Sequence, residues 1–369
     1  MNEPVLGVLV PCRDEARVIE RKLANLARVD WPRAGRPHLV VVVDDGSQDG
    51  TAAVAERAIA RGFAGRPEVA VRVVANTGAP GKASAIARGL AELGSEPDLV
   101  VLTDADVIFE RPALVELANA FARDPRLGMA CGAQRFVRAL GDDGDAHADL
   151  VDDAGLYDRW TAGVRRFESR SGRLFSVHGQ LLAWRRALAL AATPGLAADD
   201  IDLRLQARAR GARIELVAGA RFVEVKAPAG EARREQELRR ARAYVQCVES
   251  PHVAALAARG DALDRLHFAC YRHVPLLAPW LVLAALVAAP LAAGAFAAAR
   301  PSAASAGAEW ALAESVGGVA LGAAVLGLEL LLALSPPGRR LARLFSVIVR
   351  ATRAERREPL SGTWRTARR

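Results

Sequence analysis

The chain has 369 residues, a formal net charge of +8 and a hydrophobic fraction of 51%, enough for a folded core and for membrane segments. Its four cysteines are widely separated, with no CxxC pair and no histidine at ligand spacing, so the sequence indicates neither a zinc site nor a disulfide framework. The basic residues are not interleaved with aromatic ones in a nucleic-acid-binding motif, so we do not expect nucleic acid as a partner.

The first 110 residues alternate between apolar strands and helices. The runs 39–43 and 99–103 are rich in β-branched residues and too apolar to be half-exposed, as in the interior of a parallel sheet. This alternation predicts an α/β fold with a doubly wound, mostly parallel sheet. Strands are predicted at 5–10, 39–43, 69–74 and 99–103, and helices at 16–27, 51–61 and 82–93.

Carboxylates follow the ends of two of these strands. Asp44 and Asp45 come after the second strand, and Asp104 and Asp106 come after the fourth. Ligands of open parallel sheets bind beyond the carboxyl ends of the strands, so we expect these side chains in one crevice. Two carboxylates one residue apart suit a hard divalent cation that also holds phosphates. The alternative to a ligand site is that the acidic residues have structural roles, in a capped turn at 44–51 and in a strand-end turn at 104–106.

Two further features point to the same chemistry. A third acidic cluster, at 197–203, stands at the start of a predicted helix. Lysine occurs only at Lys22, Lys82 and Lys226, and Lys82 lies in a glycine-bearing segment in a chain that otherwise uses arginine. We therefore expect Lys82 to contact phosphate.

Between residues 8 and 242 the chain resembles glycosyltransferase family 2, the inverting GT-A type. Seven segments occur in that family's order: VLVPCRDEARVIERKL, VVVDDGSQDGT, NTGAPGKASAIARGL, LTDAD, GQLLAWRR, ADDIDLRLQARARG and EVKAPAGEARREQELRRARA. The resemblance implies a GT-A, Rossmann-like fold, a nucleotide-sugar donor, and Mn²⁺ or Mg²⁺ at Asp104 and Asp106. It also implies that a helix near 150–166 and a mixed segment at 174–186 complete the acceptor half.

The resemblance assigns roles to individual residues. Asp200 would be the base that takes the proton from an acceptor hydroxyl, and His178, Gly179 and Asp199 would lie at the acceptor. Asp199 as a helix-capping residue and His178 as a structural histidine remain alternatives. The residues that the resemblance places at the donor are Pro11, Glu15, Asp44, Asp45, Lys82, Asp104, Gln236 and Arg239.

The last of these motifs departs from the family. Gln236 and Arg239 align with the QxxRW motif, but Arg240 stands where polymerising relatives have a tryptophan that stacks on the acceptor sugar. Arg239 retains the ability to clamp a diphosphate. The absence of the tryptophan favours a single transfer over processive synthesis. The alternative to a binding role for this arginine-rich helix is that it forms a solvated or lipid-facing surface.

The composition changes after residue 250. Apolar segments at 274–299 and 311–335 are each long enough to cross a hydrocarbon core of about 30 Å, and basic residues flank them on the outer sides. We predict a glycosyltransferase domain at 1–250, an interfacial linker helix at 251–273, two transmembrane helices forming a hairpin within 274–335, and a basic tail at 336–369. The positive-inside rule places the catalytic domain and both termini in the cytoplasm, on the inner membrane. A helix at 338–353 is expected on the membrane surface.

The sequence thus predicts a membrane-bound, metal-dependent inverting enzyme that moves one sugar from a nucleotide donor to a lipid or lipid-linked glycan. A processive polysaccharide synthase subunit is the first alternative, and a polyprenyl-phosphate sugar transferase fits the later motifs poorly. An inactive sugar-nucleotide-binding scaffold is another alternative, against which the intact carboxylates argue. A dinucleotide oxidoreductase would need a GxGxxG after the first strand, where PCRDEA stands instead. The oligomeric state is not predicted.

Overall fold

The computed structural model describes residues 3–137, 156–225, 230–298 and 335–360, together with 323, 325 and 326. The chain divides into two compact units. Unit 1 comprises Met1–Gln236, Gln246–Leu266 and Pro359–Arg369, and unit 2 comprises Glu237–Val245 and His267–Glu358.

Unit 1 is built on an eight-stranded sheet with the order β3-β2-β1-β4-β7-β6-β8-β5. Strands β1 to β4 are mutually parallel, β7 runs antiparallel to β4 and β6, and β5 runs antiparallel to β8. The sheet is therefore mixed and mostly parallel, as predicted. The strands are β1 Leu6–Cys12, β2 His38–Asp44, β3 Val69–Ala75, β4 Leu99–Leu102, β5 Ile108–Phe109, β6 Leu127–Val137, β7 Leu182–Arg185 and β8 Arg213–Val225.

Helices of unit 1 connect these strands and pack against them. The first three helices and first four strands are confirmed, each end lying within two residues of the predicted position. The helices are α1 Ala16–Arg28, α2 Thr51–Gly62, α3 Lys82–Leu93, α4 Ala113–Arg123, α5 Leu156–Arg170, α6 Asp199–Ala209, α7 Glu231–Glu249, α8 Pro251–Ala258, α9 Ala262–Ala298 and α10 Pro336–Arg357.

Both faces of the sheet are buried along β1, β2 and β4, whereas the edge strand β3 is partly exposed. Val8 and Val10 of β1 join an apolar cluster with α1, α2 and α4, whereas Leu9 between them joins a second cluster with α3 and α6. Alternate residues of one strand therefore enter opposite cores, which explains why the strands read as continuous apolar runs.

Unit 2 contains most of the long apolar helix α9. The most apolar 18-residue window of Ala262–Ala295 has a mean hydropathy of 2.2, and only 6% of that window is buried. Among the described residues, this helix alone is long and apolar enough to cross a membrane. The predicted span at 274–299 falls on this helix, which continues through three prolines. The segment 251–273 is divided between α8 and the start of α9 instead of forming one linker helix. The second predicted span, 311–335, lies almost wholly outside the described residues, so the hairpin is not shown.

Candidate active site

The ends of β1 and β2 are joined by side-chain hydrogen bonds. Asp14, at a φ of 53°, receives the Gln48 amide at 2.8 Å, and its own amide donates to Ser47 Oγ at 2.9 Å. The Glu15 amide donates to Thr51 Oγ1 at 2.9 Å, just before α1 begins. Pro11 is buried in β1 and pairs with Val43 of β2. The pairing of β1 with β4 ends earlier, at Leu9. These contacts fix the loops that carry the predicted donor residues.

Asp44 and Asp45 have different environments. Asp44 Oδ1 accepts hydrogen bonds from the amide and hydroxyl of Ser47. Asp45 is buried, and its oxygens accept from Asn76 Nδ2 at 2.5 Å and from the Gly81 amide at 2.8 Å. Asp45 therefore joins the end of β2 to the glycine-bearing loop before α3. Its predicted contact with the nucleoside stays a prediction.

Lys82, the first residue of α3, connects three elements of unit 1. Its Nζ lies 3.0 Å from Asp104 Oδ1 and 3.3 Å from Asp199 Oδ2. Although burial acts in the opposite direction, the attraction of Asp104 and Asp199 holds the pKa of Lys82 above its ordinary value. The sequence predicted phosphate as the partner of Lys82, and these two carboxylates were not foreseen as its partners.

The loop after β4 carries the proposed metal ligands. Asp104 and Asp106 are partly exposed and flank the buried Ala105. Among the residues that the structure describes, no three His, Cys, Asp or Glu side chains gather as a metal site. Mg²⁺ is commonly bound by one or two carboxylates together with substrate phosphates. The pair therefore fits a cation shared with a diphosphate, and the ammonium beside Asp104 shows that this carboxylate attracts positive charge.

A buried lysine that the sequence analysis did not assign to the site supports this loop. Lys22 of α1 is fully buried, and its Nζ donates to Thr103 Oγ1 at 2.8 Å and to the Val107 carbonyl at 3.1 Å. Burial lowers its pKa to about 7, against the attraction of Asp104 and Asp106. Lys22 thus ties α1 to both ends of the acidic loop. The scarcity of lysine in this chain was the signal that could have identified it.

The third acidic cluster forms the first turn of α6, where the helix dipole favours negative charge. Asp200 is half-buried, and burial together with neighbouring Asp199 raises its pKa to about 6. Burial likewise raises the pKa of Asp199, which Lys82 opposes. A carboxyl with a pKa near neutral suits general base catalysis.

Asp202, in the same turn, has structural contacts. It is fully buried, and its Oδ2 accepts from the Thr193 amide at 2.8 Å and from Gln206 Nε2 at 3.1 Å. These bonds anchor the chain before α6 to the helix. Asp202 therefore holds α6 in place, whereas the roles of Asp199 and Asp200 at the acceptor stay predictions.

Gly179, one of the predicted acceptor residues, lies against this turn. A Cβ built on Gly179 would stand 3.3 Å from the Cβ of Asp200, so glycine permits a close approach here. His178 is buried, with Nδ1 3.1 Å from the Gly132 carbonyl oxygen and its ring 5.7 Å from Phe222 in an edge contact. These contacts favour the structural interpretation of His178.

The QxxR segment lies on α7. Gln236 is half-buried and belongs to unit 1, whereas Arg239 is exposed and belongs to unit 2. The diphosphate clamp predicted for these residues stays a prediction.

Comparison with known proteins identifies the family. The model of the family described as "Glycosyltransferase like family 2" matches residues 4–243. No curated protein matches the chain. The solved structure of the mannosyltransferase PcManGT from Pyrobaculum calidifontis, in complex with GDP-Man and Mn²⁺, is 26% identical. It aligns with a TM-score of 0.65 over 95% of this chain and 87% of that one.

Two other solved structures are more distant. Glucosyl-3-phosphoglycerate synthase from Mycobacterium tuberculosis is 18% identical, with a TM-score of 0.44 over 70% of this chain and 82% of that one. GalNAc-T7, solved with UDP, GalNAc and Mn²⁺, is 14% identical, with a TM-score of 0.48 over 73% of this chain and 54% of that one. The family model covers more than half of the chain. The chain therefore belongs to glycosyltransferase-like family 2 and is a glycosyltransferase.

Proposed function

We propose that this protein is a metal-dependent, inverting glycosyltransferase that moves one sugar from a nucleotide-sugar donor to a hydroxyl of a lipid or lipid-linked glycan. The observation that carries the proposal is the position of Lys82, which joins Asp104 after β4 to Asp199 at the start of α6. Lys82 and Asp104, which we propose for the donor diphosphate, therefore lie beside Asp199, the neighbour of the proposed base Asp200.

The donor is a nucleoside diphosphate sugar, and the cofactor is Mn²⁺ or Mg²⁺ held by Asp104 and Asp106. PcManGT, solved with GDP-Man and Mn²⁺, supports this assignment. When bound, such a cation stabilises the negative charge that develops on the leaving diphosphate. Lys82 exchanges a carboxylate partner for phosphate oxygens when the donor arrives. Arg239 supplies a bidentate contact to the diphosphate.

Asp200 accepts the proton of the acceptor hydroxyl. The hydroxyl oxygen forms its bond to the anomeric carbon as the bond from that carbon to the phosphate oxygen breaks, and the electron pair leaves with the nucleoside diphosphate. Attack comes from the face opposite the leaving group, so the configuration inverts. The raised pKa of Asp200 and its close approach to Gly179 support its role as base.

The acceptor is carried by a membrane. The exposed apolar helix α9 supports this, and we propose that 311–335 forms the second arm of a hairpin that leaves the catalytic unit on the cytoplasmic side of the inner membrane. Arg240 is exposed and offers no aromatic face to a growing glycan, which supports one transfer per acceptor.

The test is a product analysis with the purified full chain in detergent. The protein is incubated with Mn²⁺, a membrane lipid extract and each nucleotide sugar in turn, with Asp106→Asn as the inactive control. We expect one donor to support nucleotide release, and mass spectrometry to show a single added sugar on an extractable lipid. Absence of release with every donor would favour the scaffold alternative, and a ladder of repeating units would favour the synthase.

A further inference from the structure

Unit 2 contains a pocket lined mainly by arginines, which we call the arginine pocket. It has a volume of 380 Å³ between α7 and the end of α10, within the usual range of about 300–1,000 Å³ for small-molecule sites. The lining residues are Arg242, Arg350, Arg353, Ala354, Arg357 and Glu358.

Helical spacing and one ion pair assemble the pocket. Arg350, Arg353 and Arg357 are three and four residues apart on α10, so they share one helix face. Arg242 of α7 donates to the Glu358 carbonyl oxygen, and its Nε lies 3.5 Å from Oε2 of the buried Glu355. This contact between α7 and α10 brings the fourth guanidinium to the other three.

The positive charge of the pocket is poorly balanced. Glu358 is the one carboxylate among its lining residues, and Glu355 is engaged by Arg242. Within the described part of the chain, no carboxylate lies within ion-pair distance of Arg353 or Arg357. Like charges at helical spacing destabilise a helix. An anion in the pocket would therefore reduce the repulsion between the arginines and would accept hydrogen bonds from four guanidinium groups.

The chemistry of the pocket and its surroundings identifies the anion. Guanidinium groups match phosphate oxygens in bidentate geometry. The same unit carries the apolar helix α9, and α10 exposes Leu341 and Leu344 at 45% and 38%. A helix that combines exposed leucines with arginines suits the surface of an anionic membrane.

We propose that the arginine pocket binds the phosphate head group of an anionic membrane lipid. The site is built entirely from unit 2 and does not depend on the transferase reaction. It differs from diffuse surface attraction because four specific guanidinium groups surround one cavity.

The test uses the purified full chain in a nonionic detergent. Short-chain phosphatidylglycerol, phosphatidylcholine with the same chains, and inorganic phosphate are titrated separately. Binding is read from the rise in unfolding temperature, which grows with ligand concentration over Kd, and from the lipids retained in native mass spectrometry. The pocket variant is Arg353→Gln with Arg357→Gln. The matched control is Arg343→Gln with Arg57→Gln, two exposed helical arginines outside the pocket.

We expect phosphatidylglycerol to bind wild type and control alike and to bind the pocket variant roughly 30-fold more weakly, about fivefold for each arginine. Arg353→Lys keeps the charge without the bidentate fork, so its loss of affinity for phosphatidylglycerol should be intermediate. This single variant also tests the proposal if the double variant does not fold. Equal losses in the pocket and control variants would overturn the proposal in favour of diffuse charge. Inorganic phosphate or phosphatidylcholine binding as tightly as phosphatidylglycerol would overturn the assignment to an anionic lipid.

Discussion

Lys82 Nζ and Asp104 Oδ1 lie 3.0 Å apart, although the two residues belong to α3 and to the loop after β4. The ammonium assigned to the donor phosphates is therefore paired with a carboxylate assigned to the metal. Under the proposed function, the cation would take the place of the ammonium at Asp104, and donor phosphate would take the place of the carboxylate at Lys82. Until then, the ion pair holds the two side chains together.

Replacing Lys82 separates these two roles. In Lys82→Met, Asp104 no longer has a competing cation, so we expect Mn²⁺ without donor to bind several-fold more tightly than in wild type. Transfer should nevertheless fall roughly 100-fold, the usual cost of losing one preorganised electrostatic group. Calorimetry with Mn²⁺ and a transfer assay measure the two effects. Lys82→Arg is the charge-preserving control, and weaker Mn²⁺ binding by Lys82→Met would contradict the competition.

The metal ligands give a second prediction. Asp104→Asn and Asp106→Asn should each abolish transfer, and a chelator should do the same to wild type, because an uncompensated diphosphate is a poor leaving group. Asp30→Asn, an exposed carboxylate of unit 1 outside the site, is the control. If wild type keeps full activity in chelator and added Mn²⁺ does not increase it, the metal has no part in the mechanism.

The pH dependence follows from Asp200. Its pKa is raised to about 6, and the base acts only when deprotonated. We therefore expect kcat/KM to fall about tenfold per pH unit as the pH drops below this value, and to be constant above it until other groups titrate. A pH–rate profile of the full chain measures this acidic decrease in kcat/KM. A profile that stays flat through pH 6 would mean that another group limits the rate.

Gly179 gives a geometric prediction. The Cβ of Gly179→Ala would meet the Cβ of Asp200 at 3.3 Å, so the turn or the base must shift by a few tenths of an ångström. We expect turnover to fall roughly tenfold, because small displacements of a reacting group are costly, while donor affinity is unchanged. Gly163→Ala on α5, where a Cβ meets nothing within 4 Å, is the control. Unaltered turnover in Gly179→Ala would show that Asp200 does not need this placement.

Local pattern determined what could be predicted of the fold. Strands β1 to β4 are largely apolar, interrupted in β3 only by Arg72, and they were predicted to within two residues at each end. Strands β6 and β8 were not, because glycines such as Gly132 and Gly219 and polar residues interrupt them, and their pairing contains register shifts. These strands exist because they pair with each other and with their neighbours, which is tertiary information.

The site shows the same division. The sequence correctly placed Asp104 after a strand and Asp199 and Asp200 at a helix start, whereas the roles that the family resemblance gives them stay predictions. The scarcity of lysine marks Lys22 in the sequence, but its partners lie 81 and 85 residues away, so no local pattern predicts its contacts. The pairing of Lys82 with Asp199 likewise arises only when α3 and α6 are folded against the same edge of the sheet.

The most direct test of the account compares wild type and Asp200→Asn in donor affinity and in the rate of sugar transfer, measured on the same preparation with Mn²⁺. The substitution removes a half-buried carboxyl whose pKa is raised, so the folded state loses an unfavourable charge; stability at pH above 6 should rise, by about 1–2 kcal/mol. We predict an unchanged donor Kd, an unfolding temperature no lower than that of wild type, and transfer slower by roughly 100-fold or more. Transfer at the wild-type rate by a stable Asp200→Asn protein would contradict the assignment of Asp200 as the base.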